Sequence, residues 1–313
     1  MISHALSGMP TFSVVIPSYN SRKYLANALD SVLAQNYPQE LVDIVICDDG
    51  SRDDSAQIAQ SYVERHPRIQ LICQANAGQS AARNRCIAAS SGELIAFLDS
   101  DDTWEADKLM LQGALYRAQP ELGLIHGACS FVDPDGRAIE NYIRKSNTAK
   151  GDVLLELFCD FFLITSAVVV PRHCLDEVGD FDETLRIGED LDLFLRLLAR
   201  WNAGCVDTPV LNRTIRADSL SREDYDHDAR CDLMILERFA EEHPQFAREH
   251  RAAINARLAS YHFDFGYRLL DDGHLRRGRG MLTRSLRYRP SIGAAKALIR
   301  SVLPRRAWSL VRA

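Results

Sequence analysis

Much that would assign this chain at a glance is missing from it. No C-x-x-C pair occurs among its eight cysteines, Cys47, Cys73, Cys86, Cys129, Cys159, Cys174, Cys205 and Cys231. A disulfide framework and a zinc site lose their usual support, and free thiols packed in a reducing cytosol are expected. No stretch of about 18 residues is both apolar and uncharged, so no membrane-spanning helix is expected. The nearest, 153–170, is interrupted by Glu156 and Asp160. The opening MISHALSGMP has neither the basic start nor the apolar run of a secretory signal. Glycine (17) and proline (11) are too few for a collagen-like or mucin-like chain. No G-x-G-x-x-G follows the first apolar run and no G-x-x-x-x-G-K-[ST] occurs, which removes the main support for a dinucleotide enzyme or a P-loop ATPase. Acidic residues are absent from His274–Ala313, which carries eleven Lys/Arg. The rest then holds 26 basic against 43 acidic residues within a chain of net charge -6. Such an acidic body repels polyanions and argues against a nucleic-acid partner.

What is present is a core-forming chain of 313 residues, 46% hydrophobic and 26% charged. Its first hundred residues alternate between two periods. Phe12–Ile16, Val42–Cys47, Ile69–Cys73 and Glu93–Leu98 are short continuous apolar runs. Between them, residues 22–36, the stretch after Asp53 and Asp54, and residues 79–90 place apolar side chains at helical spacing. Continuous strands separated by helices predict a mostly parallel sheet covered on both faces. Further on, the pattern predicts a helix over 104–118, strands over 122–132, 166–170 and 206–211, and a helix over 191–201. From about Glu223 onward only helices are expected, with breaks near Pro244, Asp271–Gly273, Pro290 and Pro304, and a faint helical hairpin over 259–289. The division is therefore a tail at 1–11, an α/β domain at 12–222 and a helical extension at 223–313.

In open α/β sheets ligands bind beyond the carboxyl ends of the strands. Here those ends read Pro17-Ser18-Tyr19-Asn20, Asp48-Asp49-Gly50-Ser51, Asn76-Ala77-Gly78-Gln79-Ser80 and Asp99-Ser100-Asp101-Asp102. D-x-D triplets also occur elsewhere, so position rather than spacing singles out the last. Carboxylates clustered there repel one another unless a cation intervenes. Their oxygens suit Mg²⁺ or Mn²⁺ shared with substrate phosphates, and the alternative is a capped turn before the next helix. Asp48 and Asp49 are either turn residues or acceptors for a nucleobase N–H. Arg83, one turn into a helix, is either a phosphate or nucleotide contact or an ion-paired helix residue. Glu189 and Asp190 open a helix, as dipole partners or, for one of them, as a general base.

Taken together, Pro17-Ser18-Tyr19-Asn20, Asp48-Asp49-Gly50-Ser51-Arg52-Asp53, Asn76-x-Gly78-x-Ser80-x-x-Arg83-Asn84, Leu98-Asp99-Ser100-Asp101-Asp102 and Gly188-Glu189-Asp190 resemble glycosyltransferase family 2 in order and separation. The resemblance covers residues 12–222. It implies the glycosyltransferase-A fold, a Rossmann-like α/β sheet flanked by helices, a nucleotide-sugar donor (UDP-sugar favoured), and inversion at the anomeric carbon. By position, Asp49 matches the residue that reads the uracil ring, with Pro17, Tyr19, Asn20, Asp48 and Asn76 nearby. Arg83 matches a donor-binding position, and Asp99 and Ser100 lie by the ribose. Asp99 and Asp101 match the aspartates around ribose and metal (Mn²⁺ or Mg²⁺), and Asp102 shares the metal role. Asp190 matches the catalytic base, with Glu189 beside it. Many relatives carry Tyr-Arg-x-His-x-x-Ser-x-Ser after the base, whereas this chain has Arg213-Thr214-Ile215-Arg216-Ala217-Asp218-Ser219-Leu220-Ser221. Arg216 can face a diphosphate but cannot ligate a metal as His does.

The acceptor implied is a glycan or lipid-linked hydroxyl in polysaccharide or glycolipid synthesis, and the expected place is the cytoplasm, at the inner face of the membrane. The basic tail sets Leu298, Ile299, Val302 and Leu303 beside Arg300, Arg305 and Arg306. Peripheral contact with an anionic membrane is one reading, and a helical cap on the acidic domain is the other. The alternative to an enzyme is a nucleotide-sugar binding scaffold of a glycan assembly complex that has lost catalysis. A nucleotidyltransferase would carry a Gly-rich loop after the first strand, and Pro17–Asn20 is not one.

Overall fold

FSVVIPS offers a β-branched, apolar side chain to both faces at once, and all seven residues of β1 (Phe12–Ser18) are buried. Such a strand belongs in the middle of a covered sheet. It pairs in parallel with β2 (Val42–Asp48) on one side and β4 (Leu94–Phe97) on the other. Beyond β2, β3 (Ile69–Cys73) is parallel too. The connections are α1 (Leu25–Leu33), α2 (Ser55–Val63) and α3 (Gln79–Ala89). Leu25, Ala28, Leu29 and Val32 form the buried stripe of α1, packed in one core with Phe12, Val14, Ile16, Ile44, Ile46 and Leu94. The structure is a computed structural model and describes residues 8–139, 148–215 and 225–303.

Past β4 the sheet turns mixed. Its order is β3-β2-β1-β4-β7-β6-β8-β5. β7 (Val169–Pro171) runs antiparallel to β4 and to β6 (Leu124–Val132), and β8 (Ala203–Thr214) runs parallel to β6. The expected helix over 104–118 is corrected at its start. Thr103–Trp104 is a two-residue strand, β5, antiparallel to β8, and α4 covers only Lys108–Ala118. The reason is the indole: Trp104 Nε1 donates to the Ser166 carbonyl at 2.8 Å, which holds the residue in the sheet layer. Three helices follow, α5 (Leu154–Cys159), α6 (Arg172–Val178) and α7 (Glu189–Leu198).

The chain divides into two compact units, Met1–Leu157 with Phe161–Ser219, and Phe158–Asp160 with Leu220–Ala313. The second is helical among its described residues: α8 (Tyr225–Glu242), α9 (Pro244–Glu249), α10 (Arg251–Asp271), α11 (Leu275–Tyr288) and α12 (Ile292–Val302). α9 opens with Pro244 in its first turn, where a missing N–H costs nothing. The turn between α10 and α11 needs Gly273, at φ +87. A Cβ on Gly278 would lie 2.9 Å from the Gly266 carbonyl, so the two helices meet almost backbone to backbone. This pair includes the hairpin expected over 259–289. The break expected at Pro304 lies outside the described residues.

Candidate active site

The register places Ser18 of β1 beside Asp48 of β2, and Asp48 beside Cys73 of β3. The parallel strands thus end on one edge, and the loops that leave it are tied to one another. Asn20, in the left-handed region at φ +51, donates its N–H to Ser51 Oγ at 2.9 Å and accepts from Arg52 N at 2.8 Å. Ser21 N donates to Ser55 Oγ at 2.7 Å, while the hydroxyls of Ser21 and Ser100 lie 2.6 Å apart. Pro17 is buried within β1, whereas Tyr19 stands at the rim 45% exposed. Gly50, at φ +73, has room only for hydrogen, since a Cβ would come within 2.9 Å of Asn76 N.

The neighbouring acids of β2 differ in what they hold. Asp49 Oδ1 accepts from Gln74 Nε2 and from Ala77 N, both at 2.8 Å, and Oδ2 accepts from Gly78 N at 2.9 Å. Asn76 Nδ2 donates to the Asp49 carbonyl at 3.0 Å. Asp49 and Asn76 therefore anchor the loop that leads into α3. Among the described residues, Asp48 is bound through Oδ2, which accepts from Ser51 N at 3.0 Å. Its Oδ1 is buried with no hydrogen-bond partner among the described residues, and so is Ser18 Oγ. A buried acceptor without a donor is costly unless something supplies one.

At the mouth of β4, Asp99 Oδ1 accepts from Arg83 Nη2 at 2.7 Å and from Gln79 Nε2 at 3.2 Å. Asp101 is half-buried. Asp102 turns inward: Oδ2 accepts from Ser166 Oγ at 2.7 Å and Oδ1 from Thr214 N at 3.0 Å. Burial first, then Asp101 and Asp99, push its carboxyl up to about 8. Ser166 Oγ also accepts from Asp99 N at 3.0 Å, so one hydroxyl fixes both ends of the acidic turn. Among the described residues, no group of three or more His, Cys, Asp or Glu is arranged to hold a metal ion.

Across from that turn, Gly188 at φ +82 starts α7, and Glu189 and Asp190 are its first residues. Arg83, 2% exposed, joins the two acidic segments, with Nη2 on Asp99 and Nη1 on Glu189, each at 2.7 Å. Its guanidinium lies 5.1 Å from the Phe181 ring centre. Burial opposes the Arg83 charge, but Asp99 and Glu189 together hold it as a cation. Burial and the adjacent Asp190 push Glu189 up to about 7 against the pull of Arg83. Of the two sequence readings of Arg83, the ion-paired one describes what the side chain touches. The rest of that face of α3 holds the approach to α7: Asn84 exchanges hydrogen bonds with the Phe181 backbone at 2.9 and 3.0 Å, and Ser80 Oγ donates to the Leu185 carbonyl at 3.3 Å. Asp190 accepts from Leu191 N through Oδ1 and from Thr165 Oγ1 through Oδ2, both at 2.9 Å.

Thr165, Ser166 and Trp104 thus belong to the site although no motif pointed to them. Two hydroxyls breaking the apolar stretch before β7 are the one trace they leave in the sequence. Of the altered 213–221 segment, Arg213–Ile215 is described, and Arg216, Ser219 and Ser221 lie outside the described residues.

The model of "Glycosyl transferase family 2" matches residues 13–154. The putative teichuronic acid biosynthesis glycosyltransferase TuaG of Bacillus subtilis is 30% identical over 193 residues, 61% of this chain and 73% of that protein. The chain belongs to glycosyltransferase family 2. A second relative, the chondroitin synthase of Escherichia coli, is 27% identical over 219 residues, 70% of this chain. The chain spans 31% of that synthase and 53% of an uncharacterized glycosyltransferase of Nostoc sp. that is 42% identical. Among solved structures, S. aureus TarS 1-349 in complex with UDP-GlcNAc superposes with a TM-score of 0.62 at 18% identity, over 96% of this chain and 92% of that one. That likeness fits the mixed sheet and its helices to the glycosyltransferase-A fold.

Proposed function

We propose that this chain transfers a sugar from a nucleoside-diphosphate donor, a UDP-sugar by preference, to a hydroxyl of a polysaccharide or glycolipid acceptor, with inversion. The observation that carries the reading is Arg83, which ties the acidic turn after β4 to the acidic start of α7 on one sheet edge. The TarS complexes with UDP and UDP-GlcNAc favour uridine as the first nucleotide to try.

In this reading the nucleoside lies over the ends of β1 and β2. Tyr19 offers an exposed ring for stacking, and Asp48 offers the unpartnered oxygen for a base N–H. Asp49, whose oxygens already serve the 74–78 loop, shapes the pocket. The diphosphate faces Asp99 and Asp101. Hard carboxylate oxygens, one or two in number, completed by substrate phosphates, are how Mg²⁺ and Mn²⁺ are usually held. Asp99 and Asp101 fit that pattern, and Asp102 does not, because both its oxygens are engaged inside the fold. A divalent cation held there would offset the charge developing on the leaving diphosphate. On the far side of the sugar, Asp190 takes the proton of the acceptor hydroxyl as the new C–O bond forms and the diphosphate departs with the bonding pair. Its carboxylate is aimed for this by Thr165 and the Leu191 N–H. Cytoplasmic action on lipid-linked acceptors, with peripheral contact at the membrane, completes the reading.

The test is thermal unfolding with UDP and Mn²⁺ against UDP and EDTA, followed by transfer assays with UDP-sugars. A ligand at 100 times its Kd stabilises by about 2.7 kcal/mol, and a shift that requires the metal is expected. Asp190→Asn should reduce transfer by about 10²- to 10⁴-fold while donor binding stays within a few fold. Weakened binding with normal turnover would remove Asp190 from the base role.

A further inference from the structure

α12 is built inside out. Ala294, Ala297 and Ser301 face the core of the helical unit, while Ile292, Ile299 and Val302 stand outward at 77%, 55% and 65% exposure. A helix that only covers a core buries its large apolar side chains and exposes its small or polar ones. The small inward residues let α12 lie close to its neighbours, with Arg279 Nε donating to Ser301 Oγ at 3.0 Å and Ala294 and Ala297 packed on Leu270 and Leu282. Among the described residues, the outward trio takes no part in that core. Leu298, which the sequence grouped with Ile299, Val302 and Leu303 on one apolar face, packs against this core. Arg300 is ion-paired with Asp271 at 3.2 Å, and Arg305 and Arg306 lie outside the described residues.

Charge marks what the trio meets. On α11, Gly278, Leu282 and Ser285 are buried, and Arg276, Arg277, Arg284 and Arg287 are exposed on the opposite side of the helix. Arg289 and Lys296 are exposed as well. No acidic residue follows Asp272 in the chain. A two-fold contact of two copies through this face would set the same cations against one another. A bilayer with anionic headgroups matches them and takes up aliphatic side chains between its lipids.

We propose that the outer faces of α11 and α12 are a docking surface for an anionic lipid bilayer, entered by Ile292, Ile299 and Val302 and held by the flanking Arg and Lys. This inference rests on the membrane contact named in the proposed function, but lipid binding is measured without donor or acceptor, so its failure removes that contact and leaves the transfer chemistry to its own assays.

Co-sedimentation of the full chain with phosphatidylcholine vesicles, and with phosphatidylcholine–phosphatidylglycerol vesicles, tests it. Binding only to the mixed vesicles, weakened by added salt, is expected. The triple variant Ile292→Ser/Ile299→Ser/Val302→Ser should bind at least about tenfold more weakly. Each of Arg276, Arg277, Arg284 and Arg287 changed to Gln should weaken binding by about fivefold. All these side chains are exposed, so unfolding midpoints should match the parent. Should the triple variant unfold early, Ile292→Ser alone, at the most exposed site, carries the test. Absence of binding by the parent chain, or undiminished binding by the apolar variants, would overturn the proposal. So would an apolar variant that keeps lipid binding but loses self-association in sedimentation velocity, which would make this face a contact between copies.

Discussion

Arg83 reaches 2.7 Å from two carboxylates that come from different segments. A guanidinium can span them because its donors are fixed in a planar fork, whereas the ammonium of lysine is a single point. Arg83→Lys should therefore keep most of the stability and lose most of the transfer, because one of the two acidic segments is released. Arg83→Ala leaves buried acid without a cation and should cost about 3–5 kcal/mol in denaturant unfolding. Equal unfolding midpoints for Arg83→Ala and the parent chain would contradict the clamp. Thr165 makes a narrower case. Thr165→Val preserves the shape and removes the hydroxyl that Asp190 accepts from. We expect kcat to fall about tenfold with the donor KM unchanged, and Thr165→Ser to restore it. A matching fall for Thr165→Ser would assign the residue to packing instead. At this scale the sequence was legible in part. The acids, and Arg83 with Asn84, were all visible as residues that terminate or open elements. What each one touches was not. Asp48 and Asp49 are adjacent and alike, yet one holds a loop and the other keeps an oxygen open, and that choice is made by Gln74, Ala77 and Gly78 some 25 to 29 residues away.

Between elements, α4 carries an uncommon feature. Lys108 is fully buried, with its ammonium donating to Gln112 Oε1 and lying 4.6 Å from the Trp104 ring centre. Burial pushes it down to about 7, while in the unfolded chain a lysine titrates near about 10.4. Between these values the unfolded state holds a proton that the folded state has released. Stability should rise with pH across about 7 to 10, at up to about 1.4 kcal/mol per pH unit. Below about 7 the cost of burying the charge is present in full. Lys108→Met should flatten that slope in urea titrations at several pH values, and an unchanged slope would place its origin elsewhere. The elements themselves were legible where they were long or uniformly apolar. β1 to β4 announce themselves as runs bounded by Pro, Asp or Gly. The two residues of β5 have no period to detect. The antiparallel entry of β7 is decided by partners distant in sequence, Leu94–Ala96 on one side and Ile125 on the other, and Trp104 is drawn into the sheet by a carbonyl 62 residues away.

The whole molecule departs from a simple division into consecutive halves. The sequence placed one boundary near 222, where the strand pattern ends. Yet Phe158–Asp160 belongs with Leu220–Ala313, not with the residues that flank it. Phe158 is 1% exposed, with its ring 5.9 Å from that of Phe246 and 6.3 Å from that of Phe239. A chain ended at Ser219 would expose that ring and lose roughly 2 kcal/mol of burial. It should bind more hydrophobic dye than the full chain and unfold at a lower temperature. Equal dye binding would show that Phe158 finds another cover. The same three residues also set a timetable. During synthesis they emerge some sixty residues before the segment that encloses them, so for several seconds at typical elongation rates the newborn chain presents an aromatic side chain with nowhere to go. The ribosome-bound protein is then most exposed to chaperones and to its own neighbours on the same message, and slowing translation after residue 160 would lengthen that interval.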